Sequence, residues 1–219
     1  MRQTLASVVL VGAIVVPSHS LAQHPAWITQ LEGYLGWRIP LNEVTQVVND
    51  DGSTTGVELK STLAFGGRAV FPIANAPTPH LGKVFIGLEG LGAFGANMNV
   101  PNTDSVIGQA DYYQVGVVVG MGKFISATPV NLTFHGALGI GVAYTAFDPN
   151  DGVALVEEGN SVTSLLTSAT LGLDLYLARM LSVVTSAGVN LGFRDPLDVS
   201  LVFVGGLALR LPTSGGPDY

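Results

Sequence analysis

The stretch Asn131-Leu132-Thr133-Phe134-His135-Gly136-Ala137-Leu138-Gly139-Ile140-Gly141-Val142-Ala143-Tyr144 decides the fold. Leu132, Phe134, Leu138, Ile140, Val142 and Tyr144 share one parity and are apolar, while Asn131, Thr133, His135, Gly139 and Gly141 on the other are polar or small. Successive side chains of a strand point to opposite faces, so a period of two predicts a strand with one apolar face. A water-facing sheet would carry Lys, Glu and Arg on its second face. Small residues there suit the crowded inside of a narrow barrel, with the apolar face turned outward.

Working outward, seven more segments show the same pattern. Towards the N-terminus, Trp27, Leu31, Leu35 and Trp37 oppose Glu32, Tyr34 and Arg38. Then Val57, Leu59, Leu63, Phe65, Ala69 and Phe71 oppose Glu58, Lys60, Thr62, Gly66 and Arg68, one alternation carried through fifteen residues. Val84, Ile86, Leu88 and Phe94 oppose Lys83, Glu89 and Gly95, and Tyr113, Val115, Val117, Val119 and Met121 oppose Gln114, Gly116 and Gly120. Towards the C-terminus, Leu165, Ala169, Leu171, Leu173 and Leu175 oppose Ser168, Thr170, Gly172 and Asp174. Leu181, Val183, Val189, Leu191 and Phe193 oppose Ser182, Ser186, Gly188 and Asn190, and Val199, Leu201, Phe203, Leu207 and Leu209 oppose Ser200, Gly206 and Arg210. The expected fold is all-β: a single closed, antiparallel, up-and-down transmembrane β-barrel of about eight strands.

Composition supports the membrane. Only 11% of residues are charged while 47% are hydrophobic, against about a quarter charged in soluble domains. No run of about 18 apolar residues follows the N-terminal region, because Gly, Thr, Ser and Asn interrupt each one, so spanning helices are not expected. In hydrocarbon every backbone group needs an internal partner, and only a closed sheet provides one for every strand. A net charge of −7 with nine scattered Lys and Arg excludes nucleic acid as a partner. There is no Cys, hence no disulfide and no thiolate metal site. No cofactor or metal is expected.

Arg2, the apolar run Leu5 to Val16 and the small residues Ser20 and Ala22 read as a secretion signal over residues 1–22, too short to span a bilayer. The barrel is placed at 23–211, and 212–219 form a Gly/Pro-rich tail. The connections alternate in length: Leu41 to Thr55, Asn97 to Ala110 and Asp148 to Asn160 are long and polar, whereas those around Ala127-Thr128-Pro129 and Ala178-Arg179-Met180 are short. With both termini in the periplasm, the long ones face outside. The link Pro72 to Gly82 is longer than such a side requires, and Arg194 to Asp198 is short.

Trp27 and Trp37 share a parity ten positions apart, roughly 33 Å of strand and about 25 Å of height after tilt, the height of an apolar belt. With Phe71, Phe94, Tyr113, Tyr144 and Phe193 they are expected to form the membrane-interface girdles. The inward face collects Glu32, Lys60, Arg68, Glu89, His135, Asp174 and Arg210, expected to pair as an interior charge network that fills the lumen. His135, Ser168 and Asp174 share that face, but no Gly-x-Ser-x-Gly elbow marks a nucleophile, and no catalytic residue is assigned. Asp148-Pro149-Asn150-Asp151-Gly152 lacks the calcium-loop spacing and reads as a turn. Asn131-Leu132-Thr133 matches a glycosylation sequon inside a predicted strand, and Gly87 to Gly95 opens no helix and lacks a phosphate-binding Lys.

In this architecture the chain resembles the OmpA-like family of small outer-membrane β-barrels over Trp27 to Leu211. Leu171 to Val183 and Ala187 to Arg194 look like that family's late hairpin. The resemblance implies outer-membrane lipids and the barrel-insertion machinery as partners; that machinery usually reads a terminal aromatic residue, and here the last segment ends near Leu211 with Tyr219 beyond it. The function expected is non-enzymatic, in envelope structure or surface interaction through the outer loops, with an unidentified loop ligand. The alternatives are a small pore for ions or hydrophobic solutes, a lipid-modifying barrel enzyme, and a soluble lipocalin-like cup.

Overall fold

The computed structural model describes residues 29–75, 82–103, 105–127, 130–156, 160–178 and 180–211. The signal segment, Trp27, the centre of the Pro72–Gly82 link and the C-terminal tail lie outside the described residues. The described residues form eleven strands: β1 (Thr29–Pro40), β2 (Glu43–Val48), β3 (Thr54–Leu59), β4 (Thr62–Asn75), β5 (Lys83–Asn99), β6 (Val106–Ala127), β7 (Val130–Pro149), β8 (Ala154–Leu155), β9 (Ser161–Ala178), β10 (Leu181–Phe193) and β11 (Asp198–Leu211).

Eight of them close a ring. β1 pairs with β4 on one side and β11 on the other, β10, β9, β7, β6 and β5 follow in order, and β4–β5 pairing completes the circle, antiparallel throughout. At one end lie the ends of β1 and β11 nearest the termini and the β6–β7 and β9–β10 connections. At the other, the loop end, lie the long connections.

Outward parity is apolar on every barrel strand, with Leu138 70%, Val115 64% and Trp37 58% exposed. So large an exposed apolar surface is stable in hydrocarbon rather than water, and the chain is a transmembrane β-barrel. The inward face is as tight as its Gly content predicted. A Cβ at Gly66 would collide with the Gly90 carbonyl and the Tyr34 ring, because Tyr34 lies across that glycine with its hydroxyl 3.3 Å from the carbonyls of Gly67 and Gly90.

Two readings of the sequence are corrected at the loop end. The fifteen-residue alternation is two strands: β3 parts from β4 at Lys60-Ser61 and pairs instead with β2 and the tip of β5, through Glu58↔Asn99 and Leu59↔Met98. Val57 and Leu59 are therefore buried while Leu63 and Phe65 of the same parity face outward. The chain turns between them, and counting residues cannot see a turn that preserves parity. The stretch Leu41 to Thr55, read as a polar loop, contains β2 and a hairpin turn in which Gly52 has φ of 80° and its N–H reaches the Asn49 carbonyl at 2.9 Å. Of the expected Asp148–Gly152 turn, Asp148 and Pro149 instead end β7, and the turn forms over Asn150 to Val153, with Val153 N–H donating to Asn150 O at 3.0 Å.

Above the barrel, β2, β3, β8 and the ends of β5, β6 and β7 enclose a second core. Val44, Val57, Leu59, Ala96, Met98, Ala110 and Phe147 are buried together, with Val47, Ile107, Leu155 and Val162 packed against them. Its entry on β5 is a bulge between Ala93 and Ala96, where Gly95 takes φ of 63°. The extra residue moves the inward parity from odd to even. Asn42 ties this lobe to β11, donating to the Leu197 carbonyl and accepting Val199 N–H at 2.9 Å.

Candidate functional site: the lumen

Six of the seven expected interior charges meet in the lumen. Glu32 on β1 accepts Arg68 Nη2 and Nε, each at 2.9 Å, and Gln30 Nε2 at 2.9 Å. Gln30 continues the chain to Asp174 Oδ2 at 3.3 Å and accepts Arg210 Nε at 3.2 Å. Asp174 faces His135 Nε2 at 3.2 Å and Arg210 Nη2 at 4.0 Å. Towards the loop end Arg68 Nη1 lies 4.0 Å from Glu89, which accepts Gln114 Nε2 at 3.2 Å. The seventh residue, Lys60, is exposed at the β3–β4 break and takes no part, because the strand carrying it belongs to the lobe.

Sequence reasoning missed the loop-end part of the network. Gln114 Oε1 accepts Tyr112 O–H at 2.9 Å and Asn190 Nδ2 at 2.7 Å. Arg38 lies over the Tyr112 ring at 3.8 Å and bonds both oxygens of Asp198, at 2.9 and 2.8 Å. Arg194 Nη2 is 3.5 Å from the same carboxylate. At the opposite end Arg210 covers the Tyr176 ring at 3.6 Å, and Tyr176 shares a hydrogen bond with Thr133 at 2.6 Å. Arg38 stood on the inward parity all along; Asp198 and Arg194 flank a loop and carry no periodic signal.

Four guanidinium groups (Arg38, Arg68, Arg194, Arg210) thus meet four carboxylates (Glu32, Glu89, Asp174, Asp198). Buried carboxylates and guanidiniums are costly unless paired and hydrogen-bonded. Here each of the four carboxylates faces a guanidinium, although Arg38 Nε and Nη1 and His135 Nδ1 are buried without a hydrogen bond among the described residues. A cavity of ≈ 20 Å³ lies beside Tyr34, Arg68, Glu89, Gln114 and Asn190. That is about the room one water needs. The lattice does not assemble a nucleophile. His135 pairs across strands with Gly172, whereas Ser168 pairs with Gly139, four residues further along each strand. The described residues contain no cluster of three or more His, Asp or Glu able to hold a metal.

The expected girdle residues sort by height. Phe94 stacks with Phe65 at 4.9 Å between ring centroids and meets Tyr113 edge-on at 5.1 Å, and Tyr113 lies 6.4 Å from Tyr144. Trp37 and Phe193 are exposed towards the same loop end, and Phe71 towards the other. Phe65, absent from the expected set, belongs to this belt.

No protein-family model and no curated protein matches the sequence. Solved structures do. The outer membrane protein OprG from Pseudomonas aeruginosa is similar with a TM-score of 0.59 at 14% identity, over 87% of this chain and 98% of that one. Neisserial surface protein A is similar with a TM-score of 0.50 at 8% identity, over 86% of this chain and 100% of that one. At such identities the likeness is one of fold, and it spans nearly the whole of both relatives. The chain has the fold of the small eight-stranded outer-membrane β-barrels, as its resemblance to the OmpA-like barrels implied.

Proposed function

We propose that this protein is a closed, non-enzymatic outer-membrane barrel that holds a compact acidic lobe at the cell surface, where it meets cationic partners. The observation that carries this reading is the crossed lumen: charge pairs span it from Arg38–Asp198 to Arg210–Asp174, and the apolar core of the lobe stands over its mouth. An eight-stranded interior crossed in this way supports a closed barrel over a water-filled pathway.

The lobe and its rim expose or half-expose Glu43, Asp50, Asp51, Glu58, Asp111, Asp148, Asp151 and Asp195, against two cations, Lys60 and the Asp198-paired Arg194, among the described residues. Such a field attracts positive partners and speeds their encounter. The other end carries Lys83 and Lys123. With the termini in the periplasm, the Trp37–Phe94–Tyr113–Tyr144 belt lies at the outer interface and the lobe stands above it.

Two measurements test the reading. In planar bilayers the purified chain is expected to be silent; steady single-channel openings would replace it with the pore alternative. On intact cells a membrane-impermeant amine reagent is expected to modify Lys60 and spare Lys83 and Lys123. The reverse labelling would invert the orientation.

A further inference from the structure

We propose that an oblique furrow on the outward face of β9, β10, β11 and β1 seats a single acyl chain of a membrane lipid. The inference rests on the outward face lying in hydrocarbon.

The furrow follows from register. One cross-strand row runs Leu35, Gly205, Thr185, Leu173, Phe134, and the next towards the loop end runs Trp37, Phe203, Ala187, Leu171. All are outward positions. Large side chains stand at both sides, whereas the middle holds only Gly205, Thr185 and Ala187, leaving a concavity of ≈ 490 Å³. The concavity is shallow and open to the membrane along the outward face. Beyond the concavity, Gly33 on β1, where a Cβ would meet nothing within 4 Å, and Ala169 on β9 are further small, exposed outward residues.

The occupant is set by the surroundings. The furrow is continuous with the apolar belt, so what reaches it is hydrocarbon. The Thr185 hydroxyl is turned onto the Leu173 carbonyl at 3.4 Å, so the floor offers no free donor to a polar ligand. No charged side chain lines the walls. A flexible chain lying between Trp37 and Phe203 on one side and Leu171 and Leu173 on the other gains contacts on three sides, whereas a convex barrel wall offers contact on one.

The geometry also supplies a clean test. A Cβ at Gly205 would approach only Thr185 Cγ2 and Val184 O, both at 3.9 Å, so Gly205→Leu fills the furrow without displacing the backbone. Val117→Leu, on β6 across the ring, places the same leucine side chain on the outward face outside the furrow. The full chain and both variants are placed in nanodiscs of palmitoyl-oleoyl-phosphatidylglycerol, checked for a heat-dependent gel shift, and released for native mass spectrometry. Wild type and Val117→Leu are expected to retain a single lipid after the rest are stripped, and Gly205→Leu to retain it at least ten-fold less often, with its gel shift intact. Equal retention by Gly205→Leu, or no retained lipid in wild type, would overturn the proposal. So would a dimer lost in Gly205→Leu, which would make a second copy the occupant. Failure of the chain to enter the nanodiscs at all would overturn the membrane reading itself, a result seen before any lipid is counted.

Discussion

The barrel and the lobe solve the same problem with opposite patterns. Around the barrel Leu138, Val115 and Leu35 face outward and the paired Arg and Glu side chains face inward; in the lobe Val57, Met98 and Phe147 face inward while Glu43, Asp50 and Asp51 face outward. Each face matches its solvent, hydrocarbon for one and water for the other. The chain changes from one rule to the other at the Lys60-Ser61 break and the Ala93–Ala96 bulge. The contacting aromatic rings of Phe65, Phe94 and Tyr113 lie beside them.

The contrast is breakable. The largest effect is expected in the lumen: Arg68→Met leaves Glu32 and Glu89 without their shared cation and should cost about 3–5 kcal/mol, the range for breaking a buried ion pair, measured by urea unfolding in lipid vesicles. A loss under about 1 kcal/mol would mean that water reaches the lumen and screens the pair. In the lobe, Met98→Ala opens a cavity in an apolar core and should cost about 2–5 kcal/mol. Here the loss is local: limited proteolysis should cut the β2–β3 hairpin while the heat-dependent gel shift stays. Cutting together with loss of the shift would make barrel and lobe one cooperative unit.

A smaller effect sharpens the lumen side. A Cβ at Gly172 would collide with the His135 ring, so Gly172→Ala should cost about 1–3 kcal/mol by overpacking and shift the His135 ring resonances. Unmoved resonances would place the ring elsewhere.

The smallest concerns the hairpin tip. Asp51 accepts the Ser53 hydroxyl at 2.6 Å and the Ser53 N–H at 2.9 Å, which hold its carboxyl below the usual Asp range. A depressed folded pKa contributes stability above the unfolded value and loses it as pH falls through the folded one. The Ser53 amide signal is thus expected to move only under strong acidification, with the barrel unaffected. A midpoint at or above the ordinary Asp value of about 3.9 would remove that bond from the turn.

What the sequence disclosed follows the same division. Period-two alternation was legible wherever one face meets lipid and the other meets the packed lumen, and it located all eight barrel strands with six interior charges. It misled at Lys60, where inward and outward exchange without a change of parity, and it passed over β2, whose Glu43-Val44-Thr45-Gln46-Val47-Val48 carries a bulge beside Val44 that breaks the alternation. The Arg38–Asp198 pair escaped because its partners are 160 residues apart, a separation only the closed ring brings within reach. Trp27 lies outside the described residues, so the two-tryptophan ruler stands as an expectation.

That last separation bears on assembly. Arg68–Glu32, His135–Asp174 and Gln114–Glu89 join residues 36, 39 and 25 apart, which a growing curl of neighbouring strands can bring together early. Arg38–Asp198 and Arg210–Gln30, 160 and 180 apart, bridge β1 to β11, the seam where the first strand meets the last. Until that seam shuts, the Arg38 guanidinium lacks its Asp198 carboxylate and Arg210 lacks the Gln30 acceptor in a growing, half-enclosed lumen. The final hydrogen-bonded row and the neutralisation of Arg38 then occur in one event, which makes ring closure the step that commits the chain to its membrane.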